Sequence, residues 1–168
     1  MPTDRRKPSS VQLSQIIEGL LKAEIEFVLV GGLAAVVQGA PVTTMDVDIV
    51  HHQASENLSR LARYLQSVDA IYRRPDEKVI EPTLEDISGM GHLLLTTRLG
   101  PLDVLAYIEG NQTYDDLLDD SDEIEFRGKI LRVLSLRKLV ELKKKSKTPE
   151  DKQRLVVLEK TLRQRDKQ

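Results

Sequence analysis

The chain has no cysteine and no tryptophan, and only four tyrosines and two phenylalanines among its 168 residues. Without cysteine there can be no disulfide, no thiolate metal centre and no cysteine nucleophile. That composition suits a reducing compartment. So few aromatic rings leave no stacking platform of the kind used by single-strand nucleic-acid binders, which disfavours sequence-specific RNA reading. No apolar run approaches the roughly 20 residues that span a bilayer. The polar opening Met1-Pro-Thr-Asp-Arg-Arg-Lys-Pro8 lacks the apolar centre of a secretion signal. The expectation is a soluble cytoplasmic protein with no membrane partner. A formal net charge of −2 advertises no general affinity for polyanions, although Lys143-Lys144-Lys145 forms a local basic run in the C-terminal third.

A chain of this length builds one domain with a real core and is short for two. Residues 1–8 read as a flexible arm. Ser9 or Ser10 is placed to cap a helix whose apolar positions, Val11, Leu13, Ile16, Ile17, Leu20 and Leu21, fall near helical spacing. Phe27-Val28-Leu29-Val30 is a continuous apolar run stopped by Gly31-Gly32, the pattern of a strand buried on both faces. A short helix over 33–38 follows and ends at Gly39 and Pro41. Met45 to Val50 reads as a second strand, and Ser55 as the cap of a helix reaching Val68, with Leu58, Leu61, Ala62 and Leu65 on its buried side. Residues 72–91 read as a loop with one short strand near Val79-Ile80. His92–Leu99 and Leu102–Ile108 read as antiparallel strands joined at Gly100-Pro101. A short helix over 113–118, a hairpin turning at Arg127-Gly128, a helix capped by Ser135 and a last helix opened by Pro149 complete the pattern. The fold expected is α+β: a small mixed sheet with helices packed on it and a helical C-terminal end. The core runs over 9–134 and the C-terminal helices over 135–168, within one domain.

Gly31 to Asp48 carries the chemical signal. Glycines at the end of a buried strand let backbone N–H groups approach a phosphate closely, although many strand-to-helix turns need glycine for backbone geometry alone. Asp46 and Asp48 lie two apart, so on a strand they share one face. Neighbouring carboxylates in an apolar context repel unless a cation joins them. Hard oxygen ligands on a rigid strand suit Mg²⁺, which takes one or two carboxylates together with phosphate oxygens. A solvated acidic edge strand is the competing reading. Asp103, alone within Leu102-Asp-Val-Leu-Ala106, offers a third carboxylate if its strand neighbours that of Asp48. Phosphoryl-transfer sites that use two metals need such a cluster.

Val30-Gly31-Gly32, thirteen residues, then Asp46-Val47-Asp48-Ile49 resembles the signature of the DNA polymerase beta-type nucleotidyltransferase superfamily. Gly31-Gly-Leu-Ala-Ala through Gly39-Ala-Pro-Val-Thr-Thr-Met-Asp-Val-Asp48 is most similar to its minimal, abortive-infection-type members, several of which are toxins or antitoxins. The resemblance spans about 120 residues and reaches, more faintly, Lys143 and Pro149–Asp151. It implies Mg²⁺-dependent transfer of a nucleoside monophosphate from an NTP to an acceptor hydroxyl on tRNA, protein or a small molecule, with two Mg²⁺ (or Mn²⁺) alongside the bound NTP. By the same resemblance Gly31 and Gly32 cradle the triphosphate with Thr44 beside it, and Lys143 reaches a phosphate oxygen. Asp46, Asp48 and Asp103 bind metal, with Asp103 as base toward the acceptor; a cognate toxin or antitoxin is the implied protein partner. Three departures stand out: Val42 where relatives commonly carry arginine, and Thr148 and Glu150 where basic residues are frequent. Arg137, Lys138 or Lys144 could supply the missing charge. Without such a substitute, the alternative is a catalytically silent module of the same fold, one half of a two-protein pair.

Other conspicuous residues read as structural. His51 and His52 face opposite ways on a strand and cannot chelate together. His92, Asp115-Asp116, Asp119-Asp120 and Arg73-Arg74 read as structural or solvated, with Arg73-Arg74 the pair within reach of an acceptor.

Overall fold

A computed structural model describes residues 10–168. The arm 1–8, the capping role of Ser9 and the side chain of Val11 lie outside the described residues. Helix α1 (Ser10–Lys22) buries Leu13, Ile16, Ile17 and Leu20, while Leu21 is partly covered. Each such aliphatic side chain contributes roughly 1.5–3 kcal/mol on burial. Strand β1 (Phe27–Val30) is buried at all four positions, as its unbroken apolar run requires. Helix α2 (Gly31–Val37) starts at the glycines themselves, two residues earlier than expected.

Strand β2 (Val47–His51) is followed by α3 (Ser55–Ser67), whose N-cap position is Ala54 rather than Ser55. No side chain caps that end. Instead, buried Asn57 fastens it: Oδ1 accepts from Glu26 N at 2.7 Å, and Nδ2 donates to Glu26 O and His52 O, both at 2.9 Å. The segment expected to be a loop contains more order than its prolines suggested. Strand β3 is Ile71–Tyr72, and Val79-Ile80 form no strand, although Tyr72 N donates to Ile80 O at 2.9 Å. Helix α4 (Leu84–Ser88) follows, held by a reciprocal cap between Thr83 and Asp86.

Strands β4 (Leu93–Thr97) and β5 (Gly100–Leu105) form the expected hairpin, but it turns at Arg98-Leu99. Thr97 Oγ1 organises that turn, accepting from Leu99 N at 3.0 Å and Gly100 N at 3.1 Å. Gly100-Pro101 therefore begin β5 instead of bending the chain. Helix α5 (Tyr114–Leu117) and a 3₁₀ turn lead to β6 (Ser121–Phe126) and β7 (Lys129–Leu134), joined at Arg127-Gly128. Helix α6 (Leu136–Lys144) is capped by Ser135 Oγ, and α7 (Pro149–Asp166) by Thr148.

The seven strands form one mixed sheet in the order β3-β4-β5-β2-β1-β7-β6. At its centre β2 runs antiparallel to β1 and parallel to β5. The architecture is α+β as expected, one mixed sheet with helices packed on it. A hydrogen-bonded junction ties α7 to the rest. Buried Gln38 donates to Asp122 Oδ2 at 2.9 Å and Leu134 O at 3.1 Å, and it accepts from Arg165 Nη1 at 2.8 Å. Among the described residues, no helix is long and apolar enough to cross a membrane.

Candidate active site

Gly31 has φ of +71°, a conformation that side chains other than glycine's rarely adopt. A Cβ there would lie 2.2 Å from Asp48 Oδ2, and one on Gly32 would lie 2.8 Å from Thr44 Oγ1 and 2.9 Å from Arg154 Nη1. The two glycines are thus required by the protein's own side chains, which crowd the end of β1. Thr44 is oriented only loosely from within its loop, donating to Asp46 O at 3.4 Å.

Asp48 and Asp103 sit directly opposite one another on the parallel neighbours β2 and β5. Parallel register points equivalent residues to the same face, so the two carboxylates meet. Asp46 lies in the bend just before β2 and not on the strand as expected, yet it joins them. One carboxylate oxygen from each of Asp46, Asp48 and Asp103 lies within 4.8 Å of the others. Asp48 Oδ1 is buried without a hydrogen-bond partner. Burial, then the hydrogen bond and charge of Asp103, and then the charge of Asp46 push the Asp48 carboxyl up to about 8; Arg73 opposes the rise. An orphaned oxygen inside a trio of hard donors fits a divalent cation such as Mg²⁺ or Mn²⁺.

Arg73, read from the sequence as solvated or within reach of an acceptor, instead bonds the carboxylate trio. Its Nη2 bonds Asp103 Oδ1 at 3.0 Å and Leu95 O at 2.7 Å. The two-residue strand β3 delivers it, with Arg73 N donating to Leu94 O at 2.8 Å on β4. Arg74, by contrast, turns to Asp76 in an exposed pair at 2.7 Å.

The facing wall comes from α6, α7 and the loop between them. Lys143 Nζ bonds Asp151 Oδ1 at 2.7 Å, and Ser146 Oγ donates to Asp151 Oδ2 at 2.5 Å. These partners, Lys143 foremost, hold the Asp151 carboxyl down to about 2. Between the walls lies a cleft of about 180 Å³, lined by Gly31, Gly32, Asp48, Lys143, Asp151 and Arg154 with apolar side chains that include Val42 and Leu142.

Of the sequence-selected residues, Gly31, Gly32, Asp48 and Lys143 line this cleft, Thr44 stands against Gly32, and Asp46 and Asp103 meet Asp48 at the carboxylate trio. The proposed replacements for the missing charges are elsewhere. Arg137 pairs with Asp166 at 2.9 Å, and Lys138 is buried between Asp120 and Glu141 at 3.6 and 3.8 Å. Lys144 is exposed and does not line the cleft. The unforeseen cation in the cleft is Arg154, whose Nη2 donates to Thr43 O at 2.6 Å. The histidines take structural parts. His51 is buried and donates to Ile87 O at 3.3 Å, with burial lowering its pKa. His52 bonds Glu26 at 2.7 Å and stacks on Tyr114 at 4.8 Å, while His92 packs on Tyr107 at 4.9 Å.

No family model and no curated protein matches the sequence. Solved structures do match the fold. The lincosamide antibiotic adenylyltransferase LnuA, with lincomycin bound, superposes with a TM-score of 0.61 at 14% identity, over 92% of this chain and 98% of that one. The antibiotic-resistance factor ANT(2'')-Ia gives 0.53 at 11% identity, over 92% and 86%. An antigenic nucleotidyltransferase-like protein from Paracoccidioides brasiliensis gives 0.53 at 16% identity, over 90% and 77%. At these identities the likeness is one of fold.

Proposed function

We propose that this protein transfers a nucleoside monophosphate from an NTP to an acceptor hydroxyl and releases pyrophosphate. The observation that carries the reading is the meeting of Asp46, Asp48 and Asp103 beside Gly31-Gly32, with one Asp48 oxygen buried and unsatisfied. In the reaction the acceptor oxygen bonds to the α-phosphorus, the bond from that phosphorus to the β-bridging oxygen breaks, and pyrophosphate departs. Asp46, Asp48 and Asp103 would hold divalent cations, which supply charge neutralisation on the triphosphate and ease ionisation of the acceptor. Asp103 accepts the acceptor's proton. Gly31, Gly32 and Thr44 bind the triphosphate, and Lys143, steered by Asp151, faces the same cleft.

LnuA, whose structure holds lincomycin, supports a small-molecule acceptor as one arm of the test; tRNA and protein are the others. Release of pyrophosphate from each NTP should be measured with Mg²⁺ and each acceptor class, for the wild type and for Asp46→Ala/Asp48→Ala. Equal turnover in the double variant removes this site from the reaction. A toxin–antitoxin setting is the finer part of the proposal, tested by co-purification with the product of an adjacent gene.

A second reading, a catalytically silent nucleotidyltransferase-fold module, is favoured by Arg73 on Asp103 and by apolar Val42 in the cleft wall. Failure to bind Mg·ATP in calorimetry would select it.

A further inference from the structure

Lys143 is paired with Asp151, and Val42 contributes no charge, so the cleft's remaining cation stands out. Arg154 is partly buried and lines the cleft. Its guanidinium donates to a neutral carbonyl, Thr43 O, and among the described residues it forms no ion pair. Its Nη1 and Thr44 Oγ1 lie 2.9 and 2.8 Å from the same point, the position a Cβ would take on Gly32. A guanidinium outside any ion pair, a hydroxyl and a glycine turn thus converge at one spot, in a cleft that also presents Glu109 and Asp151 and lies close to the carboxylate trio. That is the chemistry that recognises a phosphate oxygen, because charge-assisted bonds from arginine to phosphate are short and directional.

We infer that Arg154 is the principal phosphate-binding cation of this cleft, taking the triphosphate of the NTP and, after transfer, the pyrophosphate. The inference rests on the nucleotidyl-transfer reading and assigns to it a residue that supplies the charge missing at Val42, Thr148 and Glu150. The bond to Thr43 O then has a second role, holding the guanidinium over Gly32 before the ligand arrives.

The test is calorimetry of the full chain with Mg·tripolyphosphate and with Mg·ATP, for wild type, Arg154→Ala, Arg154→Gln and Arg154→Lys. Glutamine keeps an N–H donor for Thr43 O but not the charge, so it separates phosphate binding from a purely structural tie. Both neutral variants should bind Mg·tripolyphosphate about 10- to 100-fold more weakly, with lysine in between. Mn²⁺ affinity without polyphosphate, read by electron paramagnetic resonance, should stay within about twofold, since the carboxylates are untouched. Wild-type affinity in Arg154→Gln, alongside loss of binding in Asp48→Asn, overturns the assignment of Arg154 and leaves the transferase reading standing. No binding of either ligand by the wild type overturns both.

Discussion

Replacing Asp48 with asparagine removes a buried carboxyl whose charged form the fold accommodates poorly in the absence of metal. Its carboxyl is raised from 3.8 to about 8, chiefly by burial and then by Asp103 and Asp46. The sign follows from proton linkage. Below pH about 4 the carboxyl is protonated in both the folded and the unfolded chain, and the variant gains nothing. Between about 4 and 8 the unfolded chain releases the proton while folded Asp48 retains it. Metal-free wild type therefore loses stability as pH rises through that window, by up to about 1.4 kcal/mol per unit, and the loss levels off above about 8. The ceiling is on the order of 5 kcal/mol. Relaxation of the folded site around the ionised carboxyl relieves part of this cost, so Asp48→Asn should be about 2–3 kcal/mol more stable than wild type at pH 8. For a chain of this size that is roughly 5–10 °C in Tm. Thermal melts in chelator at pH 4, 6 and 8 measure it. Millimolar Mg²⁺ or Mn²⁺ should then raise the wild-type Tm at pH 8 and leave the variant unmoved. Coincident melting at pH 8, or a gap that does not widen with pH, refutes the account of the carboxylate trio.

Gly31→Ala would place a methyl 2.2 Å from Asp48 Oδ2 at a φ of +71°. It should lower stability by more than about 1 kcal/mol and abolish Mg·ATP binding in calorimetry. Arg73→Ala frees Asp103 Oδ1 from its 3.0 Å ion pair. Mn²⁺ affinity without nucleotide should tighten several-fold, and unchanged affinity would mean the guanidinium does not compete with metal. Gln38→Ala strands the buried carbonyl of Leu134 and unties Arg165. A loss of about 1–3 kcal/mol, or roughly 2–10 °C in Tm, should accompany unaltered Mn²⁺ affinity.

The chemistry of the site was legible where a few adjacent residues carry it. Gly31-Gly32 after Phe27–Val30, the Asp46-x-Asp48 pair and a lone aspartate among Leu102, Val104 and Leu105 each violate their apolar surroundings, and the violation is itself the signal. Arg73 was noticed, but its place against Asp103 was not, because two residues of β3 hold too little pattern to distinguish a strand from a loop. Arg154 was hidden by distance, since its contact at Thr43 is 111 residues away along the chain. The hairpin turn was misplaced because Gly100-Pro101 is the stronger local turn signal, whereas Thr97 supplies three-point side-chain bonding that spacing does not reveal. Helix α7 buries only Leu158, so its apolar pattern is weak, and Pro149 marked its start instead.

The pairing of Asp48 with Asp103 across parallel strands has a consequence for the order in which the molecule is made. The ribosome delivers β2 long before β5, and the facing wall, with Lys143 and Arg154, follows both. A nascent chain that stops short of α7 therefore exposes an acidic half-site without the complete wall that carries those two cations. Nucleotide retention on stalled chains of increasing length would mark the moment at which the C-terminal helices close over the sheet.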